Sequence, residues 1–253
     1  MESSSTGAVL DDVWVRRYHR GSDDRPTLVC FPHAGGSASY FFSLSAALNA
    51  HVQVLALQYP GRQDRQHDPC LLSVDQLADE AFAALEPIMS RPLAFFGHSM
   101  GSVIAFEAAL RMRSRYGAGP IALFASSRRA PSTYRNERVH TRDDAGLIAE
   151  LRKLSGTDAD LLNDEDVVRM ILPPLRADYT AIETYRHRPG PNLDCPIIAL
   201  IGDEDPVVDH REAAAWRDHT DGDFALHVFH GGHFYVKEHE RAVADLVCRQ
   251  LRP

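Results

Sequence analysis

The sequence predicts an α/β protein: one mostly parallel central sheet with helices on its faces and a single helical insertion. Three observations carry this. Short apolar runs bounded by turn residues alternate with longer stretches of helical period, the pattern of parallel strands joined by crossover helices. The 253 residues are 44% hydrophobic and 25% charged, the make-up of a globular chain able to form one core. Residues 130–191 break the alternation with two amphipathic stretches and no strand pattern, too long a run for an ordinary connection.

In chain order, residues 1–10 are polar and Ser-rich and read as a flexible tail. Strands are predicted at 13–18, 27–31, 52–57, 93–96, 121–125, 197–201 and 225–229, and helices at 38–48, 74–89, 101–115, 211–219 and 236–251. The second helix opens with Ser73-Val74-Asp75-Gln76, a capping-box pattern that satisfies free amides at a helix start. The core is thus expected at 11–129 and 192–253. The insertion at 130–191 is expected to hold helices near 144–154 and 164–186 and to act as a lid; a surface decoration is the plainer alternative. Pro173-Pro174 withdraws two amide donors and is expected to kink or interrupt the second of these helices.

Several function classes are excluded. The longest apolar runs, such as 93–96 and 197–201, fall far short of the roughly 20 residues a membrane helix needs. The first residues have neither the basic nor the apolar segment of a secretory signal, so a cytoplasmic location without membrane contact is expected. Cys30, Cys70, Cys195 and Cys248 are scattered without CxxC pairing, which argues against disulfides and a zinc site. The net charge of −8 opposes attraction to nucleic acid.

The chemistry is concentrated in a few loops. Leu93-Ala94-Phe95-Phe96-Gly97-His98-Ser99-Met100-Gly101 is an apolar strand running through Gly-x-Ser-x-Gly into a helix, the context of a nucleophile elbow. The glycines are needed because the turn is so tight that a Cβ two positions from the serine would strike neighbouring backbone. Ser99 is left exposed at a helix N-terminus, where the backbone dipole favours developing negative charge. A serine hydroxyl does not attack unaided: a base must take its proton and a carboxylate must orient the base.

Both partners are expected downstream, acid before histidine. Gly202-Asp203-Glu204-Asp205-Pro206 follows the strand at 197–201 and offers three acids. His230-Gly231-Gly232-His233-Phe234 follows the last strand. Of the 13 histidines, His233 stands after two glycines that let its loop reach back over the sheet, whereas His227 lies within the strand and His230 at its end. A metal site built from His227, His230 and His233 is rejected, because side chains of a strand alternate between faces and a three-residue spacing does not converge. A tetrahedral intermediate needs two amide donors. The residue after the nucleophile, Met100, supplies one, and Ala34 in Pro32-His33-Ala34-Gly35-Gly36 is the candidate for the other. His33 reads as a structural loop histidine, and no Gly-Lys-Ser/Thr follows Gly35-Gly36 to make a nucleotide cradle.

Phe31-Pro32-His33-Ala34-Gly35-Gly36-Ser37, Tyr59-Pro60-Gly61-Arg62, Gly97-His98-Ser99-Met100-Gly101, Gly202-Asp203-Glu204-Asp205 and Gly231-Gly232-His233-Phe234 together resemble the type II thioesterases, free-standing α/β-hydrolases that accompany modular polyketide and nonribosomal peptide synthases. The likeness covers essentially the whole chain after the tail. It implies the α/β-hydrolase fold, Asp205 as the orienting acid for His233, Ser99 as nucleophile, Ala34 and Met100 as oxyanion donors and a helical lid. It further implies hydrolysis of aberrant or stalled acyl groups from the phosphopantetheine arm of acyl or peptidyl carrier proteins, with no cofactor or metal of its own. A medium-chain acyl thioesterase or a small-molecule carboxylesterase would share every catalytic residue, and a carrier-binding scaffold with a vestigial site is the non-enzymatic alternative; a serine-reactive phosphonate separates that last one. Because carrier proteins are generally acidic and the chain is too, a local basic cluster must receive them. Arg128 and Arg129, with Arg135 and Arg138 behind them, and Arg62 and Arg65 are the candidates.

Overall fold

Period-2 alternation sorts the strand side chains onto two faces, and each face finds its own helices. In the computed structural model, which describes residues 10–20, 25–154 and 161–252, seven strands form one sheet. They are β1 (Val15–Arg16), β2 (Thr27–Phe31), β3 (Gln53–Leu57), β4 (Leu93–His98), β5 (Ala122–Ser126), β6 (Ile197–Gly202) and β7 (Phe224–Phe229), in the order β1-β3-β2-β4-β5-β6-β7. Only β1 runs antiparallel to its neighbour.

Val29, Phe31, Leu55, Leu57 and Phe95 point to one face, where they meet α2 (Val74–Leu85) and α3 (Met100–Tyr116). Leu28, Cys30, Val54, Ala56 and Phe96 point to the other, covered by α1 (Phe42–Leu48) and α7 (Glu240–Gln250). A strand buried on both faces must be apolar throughout, which is why β4 reads as an unbroken run rather than an alternation. Each fully buried Phe or Leu contributes roughly 1.5–3 kcal/mol, so this double layer is what fixes the strand ends from which the loops spring.

Departures from the sequence reading are local. The strand expected at 13–18 shrinks to two residues at the sheet edge. The helix expected at 74–89 closes at Leu85 and continues as a 3₁₀ turn, because Pro87 withdraws an amide. The helix expected at 211–219 is α6 (His210–Ala214) followed by a 3₁₀ turn, and that at 236–251 begins as the separate turn Tyr235–Lys237. The tail, except Leu10, lies outside the described residues.

Between β5 and β6, the described residues of 130–191 contain no strand and hold α4 (Asp144–Leu154) and α5 (Glu165–Thr184). The interruption expected at Pro173-Pro174 does not occur, for α5 runs through both prolines. Asp164 caps α5 by accepting from the Asp166 and Val167 amides at 2.9 and 3.3 Å. Leu172, Pro174 and Leu175 are buried, so tertiary packing overrides the loss of two helical hydrogen bonds.

Candidate active site

Every loop of interest leaves the carboxyl end of a parallel strand, where sites gather in open α/β sheets. Between β4 and α3 the chain turns on Ser99, whose φ of 54° and ψ of −120° place a non-glycine residue in strained backbone. The flanking glycines are sterically required. A Cβ on Gly97 would lie 2.3 Å from the Ser102 Cα, and one on Gly101 would lie 2.0 Å from the Phe31 carbonyl oxygen. Two further bonds fix the turn: the Ser99 amide donates to the Ser126 carbonyl at 2.7 Å, and the Ser102 hydroxyl donates to the Gly97 carbonyl at 2.9 Å.

The loop after β6 settles which acid meets the histidine. Asp205, its side chain fully buried, accepts from His233 Nδ1 at 2.9 and 3.0 Å and from the Val207 amide at 2.8 Å. Asp203 turns elsewhere. It takes the Gly231 amide at 2.8 Å and sits 3.3 Å from His230 Nδ1, and that amide is the main reason its carboxyl is held below the usual range. Asp203 thus ties down the start of the histidine loop, while Asp205 holds the buried His233 ring through Nδ1, and His233 and Ser99 line one cavity.

That cavity, of about 340 Å³, is lined by Ser99, Met100, Ala34 and His233 and roofed by residues of the insertion, among them Tyr179 and Ile182. Neither the Ala34 nor the Met100 amide donates a hydrogen bond among the described residues, so both remain available to an oxygen placed there. His33 and His98 pack behind it with Tyr40 and Phe234. Burial pushes His33 down to about 3 and His98 well below its ordinary value, which leaves both neutral at pH 7.

Sequence reasoning missed three supports. Ser126 joins His98 Nδ1 at 2.9 Å and the Tyr235 hydroxyl at 2.7 Å, and Ser127 donates to the His233 carbonyl at 2.9 Å. Asp178 on α5 accepts from the Gly35 amide at 2.7 Å, gripping the loop that carries Ala34. The only sequence signal was position: Ser126-Ser127 ends a central strand, and Asp178 interrupts an apolar helix face.

The docking arginines require correction. Arg62 is 6% exposed and forms a bidentate pair with the buried Asp178 at 2.6 and 3.0 Å. Arg65 stacks over Trp14 and bonds Asp68 at 2.8 Å. Arg129, 4% exposed, pairs with Glu137. Arg128 is also buried. The tyrosine-proline-glycine-arginine motif therefore braces the site from within; Arg62, Arg128 and Arg129 are buried and Arg65 is half-buried, so none of the four is a freely exposed surface charge. Arg135 pairs with Glu212 at 2.6 Å.

Residues 26–251 match the thioesterase domain family. The chain is 51% identical over 240 residues to a probable cadicidin biosynthesis thioesterase of Streptomyces griseus, covering 95% of this chain and 66% of that one. It is 50% identical to thioesterase PikA5 of Streptomyces venezuelae, covering 94% and 85%. Among solved structures, the type II thioesterase BorB from the borrelidin biosynthetic cluster superposes with a TM-score of 0.90 at 49% identity, covering 96% of this chain and all of that one. YbtT, a type II thioesterase from the yersiniabactin NRPS/PKS pathway, superposes with a TM-score of 0.84 at 30% identity, covering 94% and 98%. No helix among the described residues is long and apolar enough to cross a membrane. A strained serine, a buried histidine–aspartate pair and relatives of this closeness lead to one conclusion: the chain belongs to the thioesterase family, among the type II thioesterases of polyketide and nonribosomal peptide biosynthesis.

Proposed function

We propose that the chain hydrolyses acyl thioesters held on the phosphopantetheine arms of acyl or peptidyl carrier proteins, clearing aberrant or stalled groups from a synthase. The observation that carries this reading is the buried His233–Asp205 pair opening onto the same cavity as strained Ser99. Ser99 Oγ attacks the thioester carbonyl while His233 takes its proton, and Asp205 holds the ring in the tautomer that can accept it. The oxyanion forms between the Ala34 and Met100 amides. His233 then protonates the departing thiolate, water repeats the sequence on the acyl-enzyme, and the free acid leaves; water is the only co-reactant. Residues 130–191 act as the lid that shelters this exchange from bulk solvent.

The test is a hydrolysis panel of acetyl, propionyl, butyryl and longer acyl groups on carrier proteins and on small thiols. Preference for the carrier-borne series is expected, whereas preference for small free esters would assign a carboxylesterase. Ser99→Ala, His233→Ala and Asp205→Asn should each lower turnover by roughly 10⁴-fold or more, since the three act as one unit. Turnover by Ser99→Ala within tenfold of the wild type would overturn the reading, as would failure of a phosphonate to label Ser99.

A further inference from the structure

One charged group in the wall of this cavity has no ion-pair partner of its own among the described residues. Arg128 follows β5 and is only 9% exposed, yet its Nε is buried without a hydrogen-bond partner, and its guanidinium forms no ion pair among the described residues. Glu137 and Glu183 lie near enough for their charges to favour the cation, but the nearby acids make their direct bonds elsewhere. Glu137 pairs with Arg129, Glu150 with Arg142, and Glu183 accepts from the Val139 and His140 amides, each at 2.9 Å, and pairs with the His140 ring. Arg128 lines the cavity shared by Ser99 and His233, and also an adjoining one of about 300 Å³ lined by Val103, Ser132 and Ile182. Burial and the charge of Arg129 push Arg128 down to about 9, so it is still a cation at neutral pH. A desolvated cation without an anion is costly in a folded chain, and a planar guanidinium fits a pair of oxygens on one carboxylate or phosphate.

Resting on the function proposed above, we infer that Arg128 is an anion subsite of the acyl cavity, binding the oxygen pair of an anionic group brought in by the thioester substrate. That anion has two possible carriers: a carboxylate at the far end of the acyl group, or the phosphate of the pantetheine arm. Arg128 touches substrate here without taking part in proton transfer, so its effect is on which thioester is accepted.

The experiment compares wild type, Arg128→Met and Arg128→Lys on four thioesters. Succinyl and butyryl N-acetylcysteamine differ in a carboxylate, and butyryl pantetheine and butyryl phosphopantetheine differ in a phosphate. Arg128→Met should lower kcat/KM on the anionic member of one pair roughly 10- to 100-fold more than on its neutral member, the range expected for a hydrogen bond to a charged group. Arg128→Lys should recover part of that selectivity. The pair that responds identifies the source. Equal losses on all four, or none, would overturn the subsite. Should Arg128→Met fail to fold, Ser99→Ala with Arg128 intact provides the reading through equilibrium binding of non-hydrolysable thioether analogues of the same four compounds. It must bind one anionic member at least tenfold more tightly than its neutral counterpart, and equal affinities within both pairs would sink the idea. Absence of turnover by the wild type on every thioester would strike the proposed function and leave this binding measurement to decide on Arg128.

Discussion

The two halves of the insertion are built differently. The C-terminal half of α5 is part of the active-site frame: Asp178 holds Arg62 and the Gly35 amide, and Tyr185 donates to Glu107 on α3 at 2.8 Å. Leu175 packs so closely that a Cβ on Gly35 would lie 2.8 Å from its Cδ1. The outer half has little of this. α4 buries Leu147 alone, and Val139, Leu147 and Leu172 belong to a small apolar cluster, separate from the main core, that meets the inner half only at Leu175. Pro173-Pro174 marks the boundary. The difference teaches that this insertion is not one plate on a hinge: one half is bonded to the loop that carries Ala34, so the lid movement proposed above falls to the other.

The hardest test of that contrast is to cut the inner anchor. Asp178→Ala leaves a buried guanidinium without its carboxylate and a half-buried amide without its acceptor, and a loss of about 3–5 kcal/mol in urea denaturation is expected, together with a fall in kcat as the Ala34 loop relaxes. A loss below 1 kcal/mol with unchanged kcat would show the two halves to be equivalent. In the outer half, Leu147→Ala removes a buried side chain whose cluster is able to loosen by itself. About 2 kcal/mol or less of global stability should be lost, accompanied by faster amide exchange in α4 than in residues 178–184 or β4.

A third test uses acid. His33, beside the anchored loop, has its value lowered from 6.5 to about 3, mainly by burial. Between those pH values the unfolded chain binds a proton that the folded one does not, so stability falls as pH drops from about 6.5 toward 3, by up to about 1.4 kcal/mol per pH unit. His33→Gln should flatten this limb in melting curves, and an unchanged slope would remove His33 from the account. Smallest of all, Asp166→Ala breaks the exposed Arg169 pair on the outer half and should change stability by less than about 0.5 kcal/mol.

The sheet was legible because its signal is local: a strand buried on both faces must be an apolar run, and turn residues must bound it. The elbow was legible for a related reason, since only glycine fits at 97 and 101. His233 could be read from the two glycines before it. Asp205, by contrast, was chosen by resemblance, and nothing in Gly202-Asp203-Glu204-Asp205 itself distinguishes the acid that meets His233 from the one that ties Gly231. The arginines were misread because charge in a sequence carries no information on burial. Arg62 becomes a structural group only through Asp178, which stands 116 positions later and is brought beside it by the fold. The continuity of α5 through two prolines escaped notice likewise, since the packing that compensates them comes from distant loops.

The backbone at Ser99 has a consequence for how such a chain can be improved. A non-glycine residue at φ 54° is held against its preference at a cost of roughly 1–3 kcal/mol, and glycine would occupy that position without it. Arg128, a buried cation whose Nε has no hydrogen-bond partner, is a second costly group in the same cavity wall. Selection of variants for heat resistance alone would therefore favour the loss of residues to which the proposed function assigns the chemistry. Stabilised forms that still turn over will have to draw their gains from places remote from this cavity, and the exposed outer half of the insertion offers the most room for them.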